Sequence, residues 1–315
     1  MNIEELADIC SASGRRPHII SSGNTAVIAT LGMEGRLFYA RNGEVVSLFR
    51  RESAENISTS KTGYLNPGGD GFWPAPEGTR FGYEYSTGAW RVPAAIISAQ
   101  YDIVSKSSDS LEIAAEIDLV NNQQLGIPCR FIRKVSVKDV DGASVIEQYD
   151  AIEYLGCCEL AEGTFSIAPW SLSQFTVDKN TIARFGDPGQ AVRDLYQPSK
   201  ELLSSDGKVV TMKHDDKNRI QLALPEKSGF VELLVPEKNL QITRTSLPLA
   251  EGLSPVDIAD YPPDADPGEA VRYSIYNDPS GFMELEAVGG CVKEKLVPGT
   301  VLGVNITNVI KKLED

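Results

Sequence analysis

The chain has 315 residues, 42% of them hydrophobic, with a mean hydropathy of -0.18. That is enough to bury a substantial core, and no apolar run approaches the roughly 20 residues of a membrane-spanning helix. A formal charge of -14 and a pI near 4.7 argue against nucleic acid or an anionic membrane as partner, and the 30 Lys and Arg are scattered rather than striped. A neutral small molecule is the better electrostatic match.

Ile3, Leu6, Ala7 and Cys10 recur at helical spacing, so residues 1–16 are expected to open the chain as a short amphipathic helix. This acidic start lacks the basic end and apolar stretch of a signal peptide, which with Met1 as the native start implies a cytoplasmic location. Five cysteines (Cys10, Cys129, Cys157, Cys158, Cys291) without paired spacing fit a reducing compartment. The vicinal Cys157 and Cys158 are expected as buried or half-buried thiols rather than a strained disulfide. No Cys-x-x-Cys or His-x-x-x-His spacing occurs, so no zinc is expected.

After Pro17 the texture turns to strands. Thr25 to Ala29 is β-branched and apolar, and Arg36–Tyr39 and Val45–Phe49 flank Asn42-Gly43 as a hairpin. Leu111 to Leu119 alternates apolar with polar residues, and a second hairpin folds at Asp141-Gly142 between Phe131–Val137 and Val145–Tyr149. Asp187-Pro188-Gly189-Gln190 combines an N-cap, proline at the first turn and a capping-box glutamine, predicting a helix that ends before Pro198. Strands resume at Val209–Met212, Arg219–Leu224, Phe230–Val235 and Leu240–Thr245. Leu247 to Pro267 holds five prolines and five acids and reads as a long surface loop. Its acids lack the spacing of a calcium loop. The expectation is one all-β domain over 1–315, with two short helical segments and a sandwich or barrel from residue 17 onward.

Phe282-Met283-Glu284-Leu285-Glu286 alternates near the C-terminus, followed by the turn Pro298-Gly299. With Met283 and Leu285 in a core, Glu284 and Glu286 lie side by side on the opposite face. Such a face is commonly solvated. If it is covered, two neighbouring anions raise one another's pKa, which turns a carboxylate into a base.

Two further segments precede it in order: Gly68-Gly69-Asp70-Gly71-Phe72-Trp73-Pro74-Ala75-Pro76-Glu77, then Pro169-Trp170-Ser171-Leu172-Ser173-Gln174, ahead of Glu284-Leu285-Glu286 with its Pro-Gly turn. In this order, over most of the chain from about Gly32, they resemble the galactose mutarotase-like (aldose 1-epimerase-like) superfamily, in particular its less characterised branches. The resemblance implies a large twisted β-sandwich holding a small carbohydrate in a concave cleft, with no cofactor. Gly-x-Gly patterns near Gly68 lack the strand–turn–helix context of a dinucleotide site.

Mutarotation needs a base for the anomeric hydroxyl and an acid for the ring oxygen. The resemblance places the base at Glu286, with Glu284 beside it to tune its pKa or bind a hydroxyl. The family's mid-chain histidine acid has no counterpart; Trp170 and Gln174 occupy that region. His18 reads as structural or exposed, and His214 as part of a charged turn, so His214 is the one remaining histidine candidate if it faces Glu286 across a pocket. Trp73 and Trp170 are candidate platforms for a pyranose face or core residues, and Trp90 belongs to a loop over the same end. Arg36, Glu77, Gln174 and Arg219 are candidate hydroxyl ligands, Arg36 being equally suited to a structural ion pair with Glu77. Three functions stay open: an anomer-interconverting isomerase, a non-catalytic carbohydrate-binding protein, and a glycoside-cleaving enzyme pairing Glu286 with Glu77.

Overall fold

The computed structural model describes residues 1–59, 62–83 and 92–313; Trp90 lies outside them. Period-2 alternation along most of the chain produces two ten-stranded antiparallel sheets packed face to face. The first runs, in spatial order, Pro17–Ser22, Thr25–Thr30, Arg36–Arg41, Asp70–Ala75, Ala168–Thr176, Phe282–Val288, Tyr273–Asp278, Ile220–Leu224 and Arg193–Asp194, with Glu44–Val45 beside Arg36–Arg41. The second is built around the long strands Ser110–Val120, Gly126–Val140, Ala143–Tyr154 and Val301–Lys312. The all-β sandwich is the observed fold class. The opening helix, Ile3–Ala12, is capped by Asn2, whose side chain accepts from the Glu5 amide, and buries Ile3, Leu6, Ile9 and Cys10.

One apolar core joins the sheets, drawing Phe72, Phe175 and Leu285 from the first and Phe131, Ile152 and Ile306 from the second. A polar bolt crosses it. Asp70 of the first sheet accepts from Arg133 and from Arg244 Nη1 (2.8 Å), and Tyr39 donates to it at 2.8 Å. Arg133 Nε also reaches Asp150 Oδ1 at 2.9 Å. Burial alone would raise Asp70, but the two guanidiniums outweigh it and hold the carboxyl well below the usual range. Because Asp70 is tied inward, strand alternation turns Gly71 and Trp73 to the outer face. The bolt therefore fixes which side of this strand the site can use.

Four expectations are corrected. The segment after Asp187 is not helical: Asp187 Oδ1 accepts from the amide of Gly189, which has a φ of +70°, closing a local turn instead of a cap. Arg193–Asp194 then pairs with Leu222 and Ala223, so tertiary pairing overrides the capping signal. Short helices form instead at Arg51–Glu55 and Ala94–Ile97. The Asn42-Gly43 hairpin keeps only Ala40↔Val45, Arg41↔Glu44 and a bond from the Val46 amide to the Tyr39 carbonyl, because Ser47 and Phe49 instead bridge to Phe175 and Gly68. The loop from Leu247 is not wholly on the surface: residues Val256 to Ala259 are buried, anchored by Asp257, which accepts from the amides of Ile258, Ala259 and Gly268 and pairs with Arg193. Cys157 and Cys158 are exposed free thiols with Sγ atoms 3.7 Å apart, because they sit in the connection after the Ala143–Tyr154 strand.

Candidate functional site

Five adjacent strands of the first sheet build one cavity of about 360 Å³ on its outer face. The register does this directly. Trp73 is opposite Trp170, Leu172 opposite Glu286, Gln174 and Tyr276 on either side of Glu284, Ser274 beside Glu286, and Gln221 opposite Tyr276. Paired residues share a face, so Met283 and Leu285 go to the core while both glutamates go to the cavity. The alternation seen in the sequence is therefore real, but the face is covered rather than solvated.

Glu286 is fully buried. Its Oε2 accepts from Trp170 Nε1 at 2.9 Å and its Oε1 from Gln221 Nε2 at 3.1 Å. Burial pushes its pKa up to about 7, against the opposing effect of the Trp170, Ser274 and Gln221 donors, which favour the ionised form, while Glu77 adds to the rise. Glu284 Oε1 accepts from Gln174 Nε2 at 2.7 Å. Burial, then the charge of Glu286, drives Glu284 well above the usual carboxylate range, and Arg36 and Arg219 oppose this. The Gln174 Oε1 is buried without a hydrogen-bond partner among the described residues.

Trp73 and Trp170 meet edge to face, with ring centroids 6.0 Å apart at 85°. Trp170 is 2% exposed and Trp73 9%, so both are largely packed while still lining the cavity. Arg219 is held between two phenols, its Nε on Tyr276 Oη at 2.9 Å and its Nη2 on Tyr196 Oη at 2.8 Å. Its guanidinium lies 3.8 Å from the Tyr196 ring centroid. Glu77 lines the cavity and is 6% exposed. Its neighbour Gly78 is required by the chain, since a Cβ there would come within 2.4 Å of the Tyr261 backbone.

The structure thus brings together Glu286, Glu284, Trp73, Glu77, Trp170, Gln174 and Arg219. Two expected residues do not line the cavity. Arg36 is completely buried, pairing with Glu34 Oε2 at 2.8 Å rather than with Glu77, and donating to Tyr64 Oη at 2.6 Å. Its guanidinium lies against the outer face of Gly71, where a Cβ would sit 2.5 Å from Nη1, and 5.7 Å from the Trp73 ring centroid. His214 is placed 2.6 Å from Asn277 Oδ1. Asn277 pairs with Met283 and so faces away from the Glu284 side, which separates His214 from Glu286.

Sequence reasoning missed Tyr64, Tyr196, Gln221 and Tyr276, all of which line the cavity. Gln221 was discoverable, since it falls two positions after Arg219 on a recognised strand and must share its face. Tyr196 was hidden by the false helix signal. Tyr276 sits on the Tyr273–Asp278 strand, which carries no strong alternation of its own.

No family model matches the chain, and no curated protein matches it in sequence. Solved structures do. A galactose mutarotase-like protein from Lactobacillus casei aligns with a TM-score of 0.55 at 12% identity, covering 93% of this chain and 99% of its own. A galactose mutarotase-like protein from Clostridium acetobutylicum gives 0.56 at 10% identity, covering 94% and 95%. A candidate aldose 1-epimerase from Escherichia coli K12 gives 0.57 at 12% identity, covering 94% and 99%. The fold is that of the galactose mutarotase-like proteins, and this likeness extends over almost the whole chain.

Proposed function

We propose that this protein binds an aldose in the cavity and interconverts its anomers by general acid–base catalysis, with Glu286 as the base. The carrying observation is a buried carboxylate lining a cavity, oriented by Trp170 and Gln221 and pushed up to about 7 by burial. A base with a pKa near the working pH combines an ionised fraction with real proton affinity. Trp73 and Trp170 supply apolar edges for the sugar ring, and Glu77, Gln174 and Arg219 supply polar contacts for its hydroxyls. The mutarotase-like fold supports this reading at the level of class only, since function lives in the site.

A second reading, carbohydrate binding without chemistry, is favoured by the place of His214 outside the cavity. A sugar panel read by thermal shift, with polarimetric mutarotation of the wild type and Glu286→Gln, separates the two. Mutarotation above the spontaneous rate that vanishes in the variant supports the isomerase. A sugar that stabilises the protein without accelerating mutarotation supports the binder.

A further inference from the structure

The missing histidine leaves the reaction without a proton donor for the ring oxygen, and the cavity lining narrows the choice. Its two arginines, Arg50 and Arg219, hold their protons too tightly to give one up. The Tyr276 hydroxyl donates to Asp278 Oδ2 at 2.7 Å and the Tyr64 hydroxyl to Glu34 Oε2 at 3.0 Å, so both hydrogens are committed. Tyr196 is raised far above its ordinary value by burial. Two carboxyls other than the base remain buried in the lining, Glu77 and Glu284.

Resting on the isomerase reading, we propose that Glu284 is the general acid, working with Glu286 two positions further along the same strand face. Their Cα atoms lie ~7 Å apart at about 3.4 Å per residue, and their side chains project into one cavity from one side. The two oxygens they must reach are both bonded to the anomeric carbon. Among the described residues neither carboxyl has an ion-pair partner within 4.0 Å. One Glu284 oxygen is occupied by Gln174, while Glu286 takes donors from Trp170 and Gln221. Facing Glu284 are Glu286 and Asp278, which favour its protonated form, and Arg36 and Arg219, which favour its ionised form. Tyr64 and Tyr276 also feel its charge.

The step balances within the pair. Glu286 as carboxylate takes the proton from the anomeric O1–H, the electron pair of that bond forms the C1=O1 double bond, the C1–O5 bond breaks, and O5 takes the proton of Glu284. The open-chain aldehyde turns about C1–C2 and the reverse sequence closes the ring. Glu284 and Glu286 exchange roles, so the cavity carries one carboxylate charge before, during and after. In a low-dielectric site that avoids creating a second buried anion. The charge of Arg36, on the outer face of Gly71, and the Gln174 amide both favour Glu284 while it is ionised.

The test is polarimetric kinetics on the intact wild type, Glu284→Gln, Glu77→Gln and Glu286→Gln, with the sugar found in the panel. Glutamine keeps the shape and neutrality of the protonated acid. The proposal expects Glu284→Gln to lower kcat on the order of 10²–10⁴-fold, with little change in KM and loss of the alkaline limb of the pH–rate profile. Glu77→Gln keeps that limb. A Glu284→Gln enzyme with wild-type kcat, or transfer of the effect to Glu77→Gln, overturns the assignment while leaving the isomerase reading intact. A wild type without mutarotation overturns both. As a check independent of any variant's folding, carbon-13 NMR of glutamate-labelled wild-type protein should show one buried carboxyl still protonated at neutral pH, assigned by its absence in Glu284→Gln; an ionised Glu284 there overturns the proposal.

Discussion

The Trp170 indole donates its N–H to Glu286 Oε2 across 2.9 Å, from a strand directly paired with the one that carries the glutamate. A tryptophan that sequence reading offered as a stacking surface is thus also a restraint on the candidate base. Removing that donor leaves the ionised carboxylate less stabilised. Trp170→Phe should therefore move the acidic limb of the pH–rate profile upward by about one to two pH units, since a hydrogen bond to a charged group is worth about 1.5–3 kcal/mol. Activity recovers on the alkaline side. An unshifted limb counts against Glu286 as the titrating base.

The same elevated carboxyls make stability depend on pH. Glu286 titrates at about 7 in the folded protein against an ordinary 4.5, and Glu284 is raised as well. A native state that binds more protons than the unfolded chain is favoured at low pH. The contribution is fully present below the unfolded value and is lost as pH rises through the folded one. Urea midpoints should fall between these two pH values, and Glu286→Gln should flatten the fall by about 3 kcal/mol or less. A wild-type stability that rises across this window contradicts the elevated pair.

Asp70 is tied to Arg133 and Arg244 with no access to solvent. Asp70→Asn leaves two buried guanidiniums short of charge and should cost about 3–5 kcal/mol. The measurement is a denaturation midpoint, and the loss should be far less sensitive to salt than that of a surface pair. A change under about 1 kcal/mol would show that the bolt does not hold the sheets.

Gly71 is the place where the Arg36 guanidinium lies directly on the sheet's outer face. Gly71→Ala puts a Cβ 2.5 Å from Arg36 Nη1, and overpacking of this kind costs about 1–3 kcal/mol. Gly126→Ala is the control, since nothing lies within 4 Å of a Cβ there. Equal melting temperatures for the two variants would disprove the contact.

Arg219 is positioned by Tyr196 and Tyr276 and lines the cavity without touching either glutamate through a hydrogen bond. Arg219→Ala should raise KM for the sugar about tenfold with kcat within a few-fold of wild type, the signature of a contact equally strong in ground and transition states. A fall in kcat alone would give Arg219 a part in the chemistry.

Much of this architecture was legible because alternation is a local signal. The Leu111 to Leu119 strand, the Asp141-Gly142 hairpin and the two-faced Glu284-Leu285-Glu286 stretch follow from side-chain periodicity and turn chemistry. What alternation does not carry is which strand lies beside which. Whether Glu284 and Glu286 face water or a cavity depends on Tyr64 and Tyr196, which arrive from distant parts of the chain. Arg36 illustrates the limit from the other side. Its suitability for oxygen pairs was readable, but its partner was Glu34 two residues away rather than Glu77, because Glu34 and the Tyr64 hydroxyl close around the guanidinium where it lies over Gly71. At Asp187 a sound capping pattern lost to strand pairing.

The position of Phe282–Val288 in the sheet has a consequence for biosynthesis. This strand, made late, lies in the interior between Ala168–Thr176 and Tyr273–Asp278, rather than at an edge. On the ribosome, Ala168–Thr176 therefore waits with one row of backbone groups unpaired while more than a hundred later residues are added. An open edge of that kind recruits other strands. Nascent or stalled chains ending before Tyr273 should bind holdase chaperones or aggregate, and emergence of the glutamate strand is the event that both closes the sheet and completes the site.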